Sequence, residues 1–284
     1  MLYRNQEYIR RFLRARGFVA FIGNGSVLPR KGESDFKNPR GAKPFMSPKA
    51  FEIEIKLLDE SVVSGMGIAE GITVILGDAY QGKSTLLSAI YEGIYDHIEG
   101  DGREYVITRE SALNISAESG RGVQKTDISF YLKDVPESIC DAVNFTTVCA
   151  SGSTSQAAAV TEAVESGCEL MLFDEDNCAN NFMYKEKRLR EIFGKSSTVP
   201  FIDNARSFYS KLGISSIFAV GASAEYLDIA DRAVVIRDHE VYEFSDYERV
   251  DYGERTIKLR PRVVDWASIR RPEVISSIAV LDSR

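Results

Sequence analysis

No apolar run in this sequence approaches the 18 or more residues needed to cross a bilayer; the longest are short stretches such as residues 72–76. A membrane-spanning helix is excluded on that ground. Cysteine is scarce, and Cys140, Cys149, Cys168 and Cys178 stand 9, 19 and 10 positions apart. No pair has the close spacing of a zinc knuckle or redox motif, which leaves reduced, mostly buried thiols of a cytoplasmic protein. Repeats and low-complexity tracts are absent as well. An excess of positive charge is also missing, since 35 Lys and Arg face 42 Asp and Glu. A uniformly basic glove for nucleic acid is thereby excluded. With 44% hydrophobic and 10% aromatic residues, the composition is that of an ordinary globular protein and excludes disorder of the whole chain.

The charge is unevenly placed. Residues 1–56 hold 12 basic against 5 acidic side chains, 57–251 hold 16 against 33, and 252–284 hold 7 against 4. Basic ends around an acidic middle suit either solvated charge or an arm that meets phosphates. Residues 1–21 carry five arginines and one acid. That composition suits an organellar transit peptide or, with Ile9, Phe12 and Leu13 set among Arg10, Arg11 and Arg14, a short surface helix running into a strand at 18–22.

Glycine and proline punctuate 23–50, which predicts an extended, irregular segment. Phe51, Ile53, Ile55 and Leu57 then alternate with Glu52, Glu54 and Lys56, the period of a half-buried strand. Residues 72–76 are a continuous β-rich run, expected of a central parallel strand covered on both faces. Helices are predicted at 83–96, 155–166, 182–193, 203–212 and near 225–230, and strands at 105–108, 113–116, 169–173, 214–220, 233–236 and 240–244. Such alternation predicts an α/β fold with a mostly parallel sheet flanked by helices. The expected organisation is a basic segment and β subdomain over 1–70, a core over 71–251 and a C-terminal extension over 252–284, the last with weak periodicity and read as loose.

Gly77-Asp78-Ala79-Tyr80-Gln81-Gly82-Lys83-Ser84 matches G-x-x-x-x-G-K-[ST] and lies between a strand and a helix, the context a phosphate-binding loop requires. Its backbone N–H groups can wrap phosphates, the helix start adds its positive dipole end, and Lys83 reaches the outer phosphates. Ser84 can ligate Mg²⁺, and Thr85 completes the nucleotide-binding stretch. This predicts a P-loop NTPase binding ATP with Mg²⁺. Downstream, Leu170-Met171-Leu172-Phe173 leads into Asp174-Glu175. Without a P-loop, an acidic pair there would be a solvated strand end. With one, Asp174 is the expected metal-holding acid on a neighbouring strand, and Glu175 the general base or positioning group for the attacking water.

Between these motifs stands Ser151-Gly152-Ser153-Thr154-Ser155-Gln156, opening the small-residue helix. Ser153 and Gln156 have capping-box spacing, so a plain helix start is one reading and an anion site at the helix N-terminus is another. P-loop, then Ser-Gly before a helix, then a strand ending Asp-Glu is the order found in ABC-class ATPases, and Ser151-Gly152 resembles the start of their signature. The likeness is closer still to the family of predicted ATPases of the ABC class. It is carried by Phe21-Ile22-Gly23-Asn24-Gly25-Ser26, Ser64-Gly65-Met66-Gly67-Ile68, Gly82-Lys83-Ser84-Thr85-Leu86-Leu87, His97-Ile98-Glu99-Gly100-Asp101-Gly102 and Pro200-Phe201-Ile202-Asp203.

The resemblance implies an ABC-type P-loop ATPase in which two subunits sandwich two ATPs, each between one P-loop and the partner's signature (Ser151, Gly152, Ser153). It thus implies a homodimer acting as a nucleotide-driven clamp, and the lack of a long apolar run adds the expectation of no membrane partner. Nucleic acid is the cargo that the basic first 56 residues and the lack of a membrane segment favour; the alternatives are an ATP-dependent protein-interaction or signalling switch and a transporter's nucleotide-binding subunit. The switch histidine of ABC enzymes has no counterpart, as the histidines are His97 and His239 and Val220-Gly221-Ala222-Ser223 stands in its place. Ser223 is either a substitute γ-phosphate contact or a strand-to-helix cap. Asp78 and Gln81 depart from the family's usual loop residues, and Asp78 would repel phosphate unless turned outward. Phe45 or Phe51 could stack on adenine or lie in the core. His97 with Asp101 reads as a structured turn, and Gln124 as a surface residue.

Overall fold

The computed structural model describes residues 1–30 and 41–262, apart from 195, 252, 254 and 258. Residues 31–40 of the irregular segment predicted at 23–50, and residues 263–284 of the C-terminal extension, lie outside the described residues. The strands are β1 (Phe18–Gly23), β2 (Glu52–Lys56), β3 (Val62–Ala69), β4 (Ile72–Leu76), β5 (Val106–Thr108), β6 (Ala112–Asn114), β7 (Val123–Thr126), β8 (Phe145–Thr147), β9 (Leu170–Asp174), β10 (Ser215–Val220), β11 (Arg232–Arg237) and β12 (Glu240–Phe244). The α-helices are α1 (Leu2–Arg16), α2 (Lys83–Glu92), α3 (Gly152–Glu165), α4 (Asn180–Met183), α5 (Lys187–Phe193) and α6 (Phe201–Leu212).

The main sheet runs β12-β11-β4-β10-β9-β6, parallel throughout except for the antiparallel edge strand β12. A second sheet, β2-β3-β1-β5, is antiparallel. Alternation along each strand divides the main sheet's side chains between two cores. Ile75, Leu172 and Ile217 face α2 and the antiparallel sheet, meeting Leu86, Ile90, Ala20 and Ile22. Val74, Phe173 and Phe218 face the other way, toward Ala157 of α3 and Phe201 and Phe208 of α6. Because β4 is covered on both faces, it carries no polar face, and the loop after it emerges from a rigid support. The whole is a P-loop NTPase fold, a mixed sheet of mainly parallel strands between helices.

Several elements differ from their sequence reading. The glycines of β3 conceal it from a propensity argument, and β7 and β8 lie in a stretch too broken for one. α2 stops at Glu92 rather than 96, with Gly93 N donating to the carbonyls of Ala89 and Ile90. The helix read at 182–193 is interrupted between α4 and α5, and that near 225–230 is a 3-10 turn at Leu227–Ile229. The described residues after 252 are not loose: Ile257 and Leu259 pack on the core, Arg260 N donates to Asp127 Oδ2 at 3.0 Å, and Arg262 pairs with Glu165. All four cysteines are free, but Cys149 is exposed and Cys168 alone is fully buried.

α1 is more than a surface helix. Ile9 and Leu13 are fully buried against Phe21, Ile55 and Ile107. Arg10, only 6% exposed, pairs with Glu7 and Asp96 at 2.9 Å each and donates to the carbonyls of Ile94 and Thr108. It is therefore an internal tie between α1 and the sheet, and cannot serve as a phosphate contact. Arg4, Arg11, Arg14 and Arg16 remain exposed.

Candidate nucleotide site

The loop from Gly77 to Gly82 joins β4 to α2. Gly82 caps the helix with φ 105°, a left-handed conformation that favours glycine strongly. Tyr80 adopts φ 63° and is 97% exposed. Lys83 folds back over the loop: its Nζ donates to the Asp78 carbonyl at 2.9 Å and the side chain is buried. The Asp78 carboxylate is exposed and accepts from Ala79 N at 2.7 Å, so its charge is partly satisfied by its own loop. Gln81 Oε1 accepts from Asp238 N at 2.6 Å, tying the P-loop to the β11–β12 turn. Asp238 and His239 form that turn with φ 51° and 65°, the paired left-handed conformation of a tight hairpin.

These elements enclose a cavity of about 850 Å³ whose wall includes the P-loop residues Ala79 to Leu86, Phe45, Lys43, Asp176 and His239. Ser84 and Thr85 both border it. Leu28, Ile236 and Val241 add an apolar side suited to a heterocyclic base. Of the two aromatics that the sequence offers for stacking, Phe45 borders this cavity. Phe51 lies elsewhere, with the Arg232 guanidinium 5.6 Å from its ring centroid.

Asp174 ends β9, and β10 lies between β9 and the P-loop strand, so the two strands are not the direct neighbours that the sequence suggested. The register nevertheless aligns their ends: Ala219 of β10 is level with Asp174, and Val220 is level with Leu76. Asp174 and Glu175 are both buried, 6% and 8% exposed. Glu175 Oε2 accepts from Gly221 N at 2.7 Å and Ala222 N at 2.8 Å. Asp174 Oδ1 and Glu175 Oε1 are buried without a hydrogen-bond partner. Leaving such acceptors unpaired costs about 1–3 kcal/mol each, so their placement requires an explanation beyond folding. Burial, reinforced by both carboxylates, pushes the neighbouring Cys178 thiol up to about 12, and it stays protonated at neutral pH.

The Ser-Gly segment begins a helix two residues earlier than capping-box spacing suggested. Ser151 is the N-cap, its Oγ accepting from Thr154 N, and α3 starts at Gly152. Gln156 does not close a box with Ser153; its Oε1 accepts from Ala179 N at 2.8 Å, fixing the segment after Glu175. Ser153 Oγ lies 3.3 Å from that of Ser151, and Ser151 borders a different cavity, of about 500 Å³, with Ile139 and Cys149. Ser223 Oγ accepts from Glu225 N at 3.2 Å, the geometry of a turn cap. His97 Nδ1 meets Asp101 Oδ2 at 2.7 Å as a half-buried pair spanning an exposed turn, and Gln124 is exposed on β7.

Sequence reasoning missed Lys43, His239, Gly221 and Ala222. The Asp-His pair between two strand patterns was a turn signal for His239. For Gly221 and Ala222 the working groups are backbone amides, which leave no trace in residue type.

The family model for the ABC_ATPase P-loop domain matches residues 1–262. An uncharacterized protein of Methanocaldococcus jannaschii is 34% identical over 270 residues, which is 92% of this chain and 59% of that protein. The chain thus spans about 59% of the length of this curated relative. Among solved structures, cbiO1 from Clostridium perfringens, part of an ABC transporter complex, is 18% identical with a TM-score of 0.40, covering 67% of this chain and 84% of that one. A bacterial Atm1-family ABC exporter with ATP bound is 12% identical with a TM-score of 0.43, covering 79% of this chain and 38% of that one.

Proposed function

The chain belongs to the ABC-type P-loop ATPase family, and on that premise we propose that it binds and hydrolyses Mg-ATP. The observation that carries the reading is the pair of buried, unpartnered carboxylate oxygens, Asp174 Oδ1 and Glu175 Oε1, at strand ends level with the P-loop strand. In this reading Lys83 and the amides of Gly77 to Gly82 hold the β- and γ-phosphates. Glu175 orients the water and accepts its proton as the water oxygen bonds to the γ-phosphorus and ADP leaves. Asp174 and the Ser84 hydroxyl would supply hard oxygen donors of the kind that Mg²⁺ brought with the nucleotide prefers, and the ion would neutralise phosphate charge there.

The nucleotide is shared between two copies of the chain, each P-loop facing the partner's Ser151-Gly152-Ser153. Support comes from the position of Ser151 beside a cavity other than the P-loop cavity of its own chain. Complementation tests this. Lys83→Ala and Ser151→Arg homodimers should both be inactive, whereas a tagged heterodimer of the two assembles one intact site and should recover turnover approaching half the wild-type rate. A heterodimer that loads ATP without hydrolysing it counts against independent shared sites, and a wild-type chain that turns over ATP as a monomer refutes the sandwich.

The action is that of a cytoplasmic, nucleotide-driven clamp. Free cysteines fit a reducing compartment. Among the described residues no helix is long and apolar enough to cross a membrane. Nucleic acid is the cargo favoured by four exposed arginines on α1, Arg4, Arg11, Arg14 and Arg16. Binding to duplex DNA should weaken steeply with salt, and replacing Arg4, Arg11 and Arg14 by Gln should reduce the slope by about 0.9 for each phosphate no longer neutralised. Arg10 is left intact in this test because its removal would damage the fold. Salt-independent binding indifferent to the substitutions leaves a protein-directed ATP switch as the function.

A further inference from the structure

Gly221 and Ala222 follow β10 on the surface, yet both N–H groups turn inward to the same oxygen of Glu175, at 2.7 and 2.8 Å. The loop also meets the P-loop. A Cβ placed on Gly221 would stand 3.0 Å from Lys83 Nζ and 3.1 Å from the Gly77 carbonyl oxygen. A shift of Lys83 would strain the bond that its Nζ donates to the Asp78 carbonyl at 2.9 Å. Two residues without polar side chains therefore hold the acid assigned to the water, and the first of them, Gly221, also lies close against the lysine of the P-loop.

We propose that the Gly221–Ala222 backbone is the positioning element for Glu175, and that its amides do the holding at two positions that carry no polar side chain. The inference rests on the role given to Glu175 above. A glutamate carboxylate rotates freely about its last torsion, and two charge-assisted bonds to one oxygen remove that freedom. Oε2 is thereby committed to the loop, and the buried, unpartnered Oε1 is the oxygen left to take the water's proton. Backbone donors work without regard to side-chain type, which explains why neither histidine nor another polar residue is needed at 221 and 222. Position 221 favours glycine for a separate reason: a Cβ there is a tight fit, and Lys83 or the loop carbonyl would have to shift by a few tenths of an ångström to admit it.

The contact could instead withhold the acid from water, and the two arrangements predict opposite signs. Ala222→Pro deletes one donor to Glu175 and leaves Lys83 untouched. Positioning predicts a fall in kcat on the order of 10²-fold, as for a small displacement of a reacting group, with ATP affinity retained. Ala222→Gly keeps the N–H, and its turnover should exceed that of Ala222→Pro at least about tenfold. In a Glu175→Gln background the proline should cause no further loss. Gly221→Ala, by contrast, should weaken ATP binding as well as turnover, because it displaces Lys83. Faster turnover in Ala222→Pro, wild-type turnover in it, or an equal loss of ATP binding and kcat would each overturn the proposal. Wild-type protein assayed in parallel separates the two readings: if it does not hydrolyse ATP, the proposed function has failed, and if it does while Ala222→Pro matches it, only the positioning role has failed.

Discussion

Lys83→Ala is expected to abolish ATP hydrolysis while leaving the fold intact. Lys83 as a residue is 8% exposed, and its Nζ donates to a carbonyl of its own loop. That arrangement keeps the charge beside the loop amides before any phosphate arrives, so little reorganisation is needed on binding. In a site shielded from water, a fixed cation facing transferring phosphoryl oxygens contributes several kcal/mol to the transition state. Its removal should cost at least about 10²–10³-fold in kcat and also weaken ATP binding, because ground-state phosphates lose the same partner. Alanine keeps the first turn of α2 helical, and thermal unfolding should change little. Phosphate release together with an ATP titration measures both effects. A variant that turns over ATP at the wild-type rate would remove Lys83 from the site.

Glu175→Gln should separate binding from chemistry. Glutamine is nearly isosteric, and its carbonyl oxygen can still accept from Gly221 N and Ala222 N, so the loop contact survives. What disappears is the group able to take a proton from the attacking water. A loss of about 10²–10⁴-fold in turnover is expected with ATP affinity preserved, the size of a general-base contribution. If ATP is shared between two chains, this variant should accumulate as an ATP-bound dimer, visible by analytical ultracentrifugation with and without Mg-ATP. Turnover at the wild-type rate would mean that Glu175 does not act on the water. The dimer measurement is separate: a variant that stays inactive and monomeric with saturating ATP retains the base but counts against the sandwich.

The contrast between these acids and the N-terminal arginines shows what patterning can decide. Arg10, Arg11 and Arg14 look alike in sequence, and only the packing of α1 against β5 and the 94–97 turn makes Arg10 internal while leaving the others in water. The same limit applies to Phe45 and Phe51, two aromatics six residues apart, of which one borders the nucleotide cavity.

Residue type and spacing alone determined the P-loop between a strand and a helix, the acidic strand end at Asp174-Glu175, the parallel core and the order of the family's motifs. Those features are local: a glycine-rich turn, a continuous apolar strand and a helix start each follow from dihedral preference and burial of a few adjacent residues. Tertiary structure decided that β10 separates the acids' strand from the P-loop strand, that the β11–β12 turn and Lys43 close the cavity, and that Glu175 is gripped by two amides from a loop 46 residues away. Strand order and loop docking arise from contacts between distant segments, and a backbone N–H carries no residue identity, so neither could be written in the local pattern of the chain.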